Sequence, residues 1–147
     1  MNELNESEEH ILFHTLGYDY EPRWNDNRGG YRNWFGTTSN SVDYPVIQTL
    51  IEKGYMKKDG NSPWGNEEVF SVTEIGKDYV IDLWEKKKKK NKPSRSKRRY
   101  QAYFDWLDCY SGSFGDFLKW LTVKEEDEWL YPKDFKYVKE FKKKWSI

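Results

Sequence analysis

The chain has 147 residues, of which 36% are hydrophobic and 18% aromatic, and its 25 basic and 25 acidic side chains cancel. That length suits one ordinary domain or two small ones, and aromatics that each bury roughly 150–250 Å² can close a core from few apolar positions, which argues against a disordered chain. The neutrality hides an asymmetry: residues 1–85 carry 16 acids against 7 bases, residues 86–99 ten bases and no acid, and residues 100–147 nine acids against eight bases, a segregation that points to a charged partner.

In chain order, the first helix is expected near Glu6–Leu16, capped by Asn5 or Ser7, opened by glutamates and ended by Gly17, with Ile11, Leu12, Phe13 and Leu16 apolar. Residues 18–40 hold aromatics, Asn, Arg and Gly around a Gly29-Gly30 turn. The alternation of Tyr31, Asn33 and Phe35 with Arg32 and Trp34 fits either a short strand or a loop docked by its rings. A second helix follows at Tyr44–Lys53, with Asp43 as cap, Pro45 in its first turn, Gly54 after its end, and Val46, Leu50 and Ile51 along one face. Tyr55–Lys58 and Val69–Val72 read as two strands about a polar loop, and Thr73 caps a third helix over Glu74–Glu85. Ile75, Tyr79, Val80, Leu83 and Trp84 form its stripe, and its early Gly76 permits close packing.

The order helix, helix, hairpin, helix, and above all VFSVTEIGKDYV at residues 69–80, resembles a winged helix-turn-helix domain. The runs DYPVIQTLIEKGYMKK and RSKRRYQAYFDWLDCYSGSFGDFLKWL add a resemblance to small phage and prophage proteins that mostly lack an assigned activity. Together these stretches span about half the chain. The resemblance implies an α+β, mainly helical fold and a phage context more than a mechanism. Residues 18–40 depart from it, because they do not read as the compact helix that normally precedes the recognition helix.

Lys86–Ser96 holds no apolar residue, and Pro93-Ser94 breaks a helix, so three parts are expected: a winged-helix-like domain at 1–85, a flexible basic linker at 86–97, and a small helical unit at 98–147. In the last part, Tyr100, Tyr103, Phe104 and Leu107 fall at helical spacing. Ser113 and Asp116 form a capping box for Phe114–Leu121, whose Phe117, Leu118 and Leu121 point inward. Pro132 opens a helix with Phe135, Val138, Phe141 and Trp145. Trp106, Trp120 and Trp129 are expected to dock this unit on the first domain or on a second chain. Cys109, the one cysteine, excludes an intrachain disulfide and a thiolate metal cluster, and reads as a small buried thiol. The acidic start is not a secretory signal and no apolar run approaches the ~20 residues of a membrane span. The chain therefore reads as cytoplasmic, in the host cell if phage-encoded, with no membrane partner.

Catalytic and metal chemistry find little support. His10 and His14 share a helix face with Glu6 one turn away, but no further histidine completes a site, so no metal and no cofactor is expected. Asp105 and Asp108 read as exposed carboxylates and Glu125–Glu128 as a solvated charge run. GxSxG, Walker A, GxGxxG and paired CxxC motifs are absent from the sequence, so an enzyme is not expected.

Binding remains. Lys86, Lys87, Lys88, Lys89, Lys90, Lys92, Arg95, Lys97, Arg98 and Arg99 would neutralise phosphates, and Tyr100, Tyr103 and Phe104 beside them could stack bases. In a DNA-reading winged helix the second helix would offer Ser41, Tyr44, Gln48, Thr49 and Lys53 to the groove, and the wing Lys57, Lys58, Asn61 and Trp64. Asp43, Glu52, Asp59, Glu67 and Glu68 stand against them, and Arg23, Arg28 and Arg32 could restore a local basic patch. Two functions follow. One is a non-enzymatic nucleic-acid-binding regulator whose basic linker supplies phosphate affinity. The other is a phage-encoded inhibitor of a host enzyme or defence complex, whose acidic winged domain meets a basic protein surface.

Overall fold

The computed structural model describes residues 3–123 and 134–147 of an α+β chain. Six helices and three strands are found among them: α1 (Glu6–Leu16), β1 (Phe35–Thr37), α2 (Tyr44–Glu52), β2 (Met56–Asn61), β3 (Glu68–Val72), α3 (Glu74–Asn91), α4 (Arg95–Leu107), α5 (Phe114–Trp120) and α6 (Asp134–Trp145). Two compact units divide the chain at Asn91 and Lys92. None of the described helices is long and apolar enough to cross a membrane.

In the first unit, α1 begins with a reciprocal capping box. The Asn5 side chain accepts from Glu8 N, and the Glu8 carboxylate accepts from Asn5 N, at 3.0 and 2.9 Å. Gly17 ends the helix in the left-handed region. Leu12, Phe13 and Leu16 pack with Ile47, Leu50, Met56, Phe70, Val72, Val80 and Trp84 into one core. The sheet is antiparallel in the order β1-β3-β2, with Phe35 opposite Phe70 and Met56 opposite Val72. Residues 18–34, open between strand and loop in the sequence, are a docked loop that ends in the three-residue β1. Asn33 fixes its approach, since its amide donates to Val72 O at 3.1 Å and accepts from Val72 N at 2.8 Å. Tyr18 packs edge-on against Trp84, and its ring lies over Gly29, where a Cβ would collide with it.

Glu9 ties the loop and α3 to α1 by accepting from the Tyr20 and Tyr79 hydroxyls at 2.7 and 2.8 Å. Burial and the Glu9 carboxylate hold both phenols well above their ordinary pKa. Thr73 caps α3 by accepting from Gly76 N, and a Cβ on Gly76 would fall inside 3.0 Å of Tyr55 O and a Val72 methyl.

Three sequence expectations change in this unit. Asp43 makes no side-chain cap bond to α2; the Ser41 hydroxyl instead accepts from Asp43 N. Ile75, placed on the stripe of α3, is 66% exposed, because the packed face runs through Gly76, Val80 and Trp84. Most consequentially, α3 continues past Glu85 to Asn91, so Lys86–Asn91 is helix rather than flexible linker. Lysines favour helix and suit its C-terminal end, while Asp82–Lys86 and Glu85–Lys88 pair across one turn. Helix stops only where Pro93 constrains Lys92.

In the second unit, Ser94 caps α4 and Ser113 with Asp116 forms the expected capping box of α5. The core comprises Ala102, Trp106, Phe117, Trp120, Leu121, Val138 and Phe141. Trp106 stacks on Tyr110 at 5.4 Å, and Trp120 meets Phe141 edge-on at 5.3 Å. Trp106 and Trp120 thus lie in this unit's own core. Trp129, Pro132 and Glu125–Glu128 lie outside the described residues. Asp105 binds α6 to α4, its Oδ2 accepting from Lys144 Nζ and Trp145 Nε1, both at 2.8 Å. Cys109 is exposed instead of buried, lying just beyond the end of α4.

Candidate nucleic-acid interface

The residues proposed for groove recognition do not form a basic surface. Lys53 lies against Glu8, with Nζ 2.8 and 2.9 Å from its carboxylate oxygens, and Glu8 is only 1% exposed. This ammonium is spent on an internal pair. Lys58 pairs across the hairpin with Glu68, which also accepts from the Tyr44 hydroxyl. Hydrogen bonds from Lys58 first, and from Tyr44, hold the Glu68 carboxyl below its usual range; the same bond raises Lys58, and Glu68 raises Tyr44. Gln48 and Thr49 are half-buried, and the Thr49 hydroxyl donates to Pro45 O. Lys57 is exposed. Arg32 donates to His14 O at the carboxyl end of α1, and Arg28 lies 3.6 Å from Asp26. Arg32 is thus engaged at the end of α1, whereas Arg23 and Arg28 are exposed. Trp64, at the hairpin tip, is 94% exposed.

The basic block divides into environments the sequence could not separate. Lys86 pairs with Asp82 at 2.8 Å. Lys87 Nζ lies over the Tyr20 ring at 3.5 Å and 3.5 Å from Glu21; Lys88 lies over Trp84 at 4.1 Å and near Glu85. Lys89 and Lys90 are exposed and have no ion pair among the described residues. The five lysines belong to the first unit, which thus holds 16 acids and 12 bases, while the second holds 13 bases and 9 acids.

In the second unit the cations are gathered where α4 meets α6. Arg95 Nη2 donates to Ile147 O at 3.2 Å and Arg98 Nη2 to Ser146 O at 3.0 Å. Those bonds set the first turn of α4 beside the last turn of α6, where Lys142 lines a cavity with Arg95 and Arg99 and its neighbour Lys143 is also exposed. Reasoning on the sequence missed these two lysines. Their signal is the Lys142–Lys144 run in the last turn of an amphipathic helix, where the helix dipole favours cations.

Helix α4 also turns a different face inward than its aromatics suggested. Ala102 and Trp106 are buried, whereas Tyr100 is 56% and Phe104 54% exposed and Leu107 lies at the surface. Tyr100 and Phe104 meet edge-on at 5.2 Å, and Tyr103 packs on Trp106. Lys97, exposed and without an ion pair among the described residues, precedes Tyr100 by three residues and Phe104 by seven. One outward face of α4 therefore carries a cation followed by two rings.

Elsewhere, His10 lies 3.6 Å from Glu6 and against the Tyr20 ring, and no group of three His, Cys, Asp or Glu among the described residues is arranged to hold a metal. No family model, curated protein or solved structure matches the chain.

Proposed function

We propose that the chain is a non-catalytic nucleic-acid-binding protein that holds single strands through its second unit. The observation that carries this reading is the outward face of α4: Lys97, Tyr100 and Phe104 stand in line, with both rings more than half exposed. Base stacking on such rings contributes about 1–3 kcal/mol per base, and cations beside them hold the backbone. A duplex keeps its bases stacked inside, so the rings favour a single strand.

For the first unit, the β1-β3-β2 sheet with α2 before the hairpin and α3 after it supports a winged-helix scaffold, the resemblance drawn from the sequence. Residues 38–43 form a turn where a helix-turn-helix carries its first helix, and Lys53 and Lys58 are neutralised. Groove reading by α2 is therefore not the function we assign to this scaffold. A regulator of phage origin, acting in a host cytoplasm, fits the resemblance.

The test is fluorescence anisotropy with random single-stranded and duplex DNA and RNA across a salt series. We expect single strands to bind more tightly than duplex at ~50 mM salt, and Tyr100→Ser with Phe104→Ser to weaken them at least about tenfold while duplex affinity barely moves. Absence of single-strand binding at that salt overturns the reading. The exposed Trp64, on a unit with excess acid, would then be the better-supported surface, facing a basic protein partner such as a host enzyme or defence complex.

A further inference from the structure

On the opposite side of α4 from the Lys97–Phe104 line, two arginines occupy positions that its core stripe reserves for apolar residues. Arg95, Arg99, Ala102 and Trp106 fall at i, i+4, i+7 and i+11, so they share one face. Ala102 and Trp106 bury themselves in the core. Arg95 and Arg99 end the stripe by lining a cavity of about 250 Å³, whose other walls are Leu118, Leu121, Thr122, Lys142 and Ile147. Three cations and no carboxylate side chain line it.

The cations are unequally satisfied. Arg95 donates to Ile147 O at 3.2 Å. Arg99 is half-buried, its Nε is shielded from solvent with no hydrogen-bond acceptor, and it forms no ion pair among the described residues; neither does Lys142. A shielded cationic donor without an acceptor is costly, and an anion is what would relieve it. Arg99 and Lys142 are thus two cations without an anionic partner, which suits a dianion better than a carboxylate. A phosphomonoester carries about −1.5 to −2 near neutral pH, and arginine forks match its oxygens. The Leu118, Leu121 and Ile147 walls favour a phosphate borne on a small body with an apolar surface. At roughly 30 Å³ per water, the cavity has space for about eight, enough for the phosphate and part of its carrier.

We propose that this pocket is a phosphomonoester site, filled either by a small free phosphomonoester or by the terminal phosphate of a nucleic-acid strand. The strand-end source rests on the nucleic-acid reading above; the free source does not.

The experiment titrates the full chain with phenyl phosphate and with inorganic phosphate, following the methyl NMR signals of Leu118, Leu121 and Ile147. It then compares single strands with and without a 5′-phosphate by anisotropy. We expect saturable shifts confined to the pocket methyls, and phenyl phosphate binding about tenfold more tightly than inorganic phosphate because of the apolar walls. Lys142→Gln, an exposed site that the fold does not need, should weaken phenyl phosphate about tenfold; Arg99→Lys, which keeps the charge but loses the fork, should also weaken it. A preference for the 5′-phosphorylated strand assigns the pocket to strand ends. Equal strand affinities together with phenyl phosphate binding assign it to a free ligand. Saturable phenyl phosphate binding without strand binding would leave the pocket standing and the nucleic-acid reading lost. No saturable pocket shift with phenyl phosphate, or shifts unchanged in both variants, would overturn the proposal whether or not strands bind.

Discussion

The two units pair their charges to different degrees. The first unit answers more than half of its twelve cations from within: Arg28 has Asp26, Lys53 has Glu8, Lys58 has Glu68, Lys77 has Glu74, and Lys86, Lys87 and Lys88 have Asp82, Glu21 and Glu85, while Lys57, Lys89 and Lys90 form no ion pair among the described residues. The second unit pairs Lys144 with Asp105, yet leaves Lys97, Arg99, Lys142 and Lys143 without an ion pair among the described residues. Its rings divide in the same manner, with Trp106 and Trp120 inside and Tyr100 and Phe104 outside. A tally of positive residues thus says little about a binding surface until the carboxylates on the neighbouring turns are known.

The largest expected effect tests whether the paired charges are structural. Glu8→Ala removes the carboxylate that meets both Lys53 and the Asn5 amide. Breaking a buried pair of this kind costs about 3–5 kcal/mol. Because Lys53 retains some solvent contact, we expect the lower end of that range in urea unfolding of the first unit. Tyr100→Ser and Phe104→Ser should each stay within about 0.5 kcal/mol, as surface substitutions do. Comparable losses at all three sites would erase the contrast between the units.

A smaller effect sharpens it from the other side, at the paired Asp105 of the second unit. Burial opposes ionisation there, but the bonds from Lys144 and Trp145 outweigh it and hold the carboxyl below its usual range. A depressed folded pKa means the stabilisation is present above the unfolded value, near 3.9, and is lost as pH falls through the folded one. Asp105→Asn should cost about 1–2 kcal/mol at neutral pH, discounted because Lys144 is largely exposed. It should also flatten the acid limb of a stability profile followed by tryptophan fluorescence. An unchanged acid limb would show that α6 docks without this bond.

Much of the local structure was legible because it follows short-range rules. Asn5 and Ser113 cap helices through side chains three residues from their partners, Gly17 and Gly54 adopt positive φ after helices, and Gly76 lies where a Cβ would strike the hairpin. The failures are questions of phase and of distant partners. In α4, large rings outweigh Ala102 in any ranking of apolar positions, yet the small residue is fully buried while Tyr100 and Phe104 are more than half exposed. The end of α3 misled because apolar residues stop at Trp84 while helical propensity and pairing do not. Neither the 45-residue reach from Lys53 to Glu8 nor the meeting of Arg95 with Ile147 leaves a local mark. The site was half legible: its basic and aromatic types were visible, while the sorting of cavity-lining arginines from outward rings needed the fold.

The smallest effect separates lysines that differ by a single turn. Lys87 and Lys88 lie against the Tyr20 and Trp84 rings, so recruiting them to phosphate would give up a cation–π interaction of about 0.5–1 kcal/mol or more each. Lys89 and Lys90 are exposed and forfeit nothing comparable. If the end of α3 joins in binding, replacing Lys89 and Lys90 with Gln should lower the salt slope by about 0.7 for each single-strand phosphate that the lysine had neutralised. Replacing Lys87 and Lys88 should leave that slope alone and instead loosen the packing of residues 18–34 on α3, read as faster amide exchange in that loop. An equal fall in slope from both pairs would mean that nucleic acid pulls Lys87 and Lys88 off their rings. The first unit's cations would then be no more committed to the fold than those of the second.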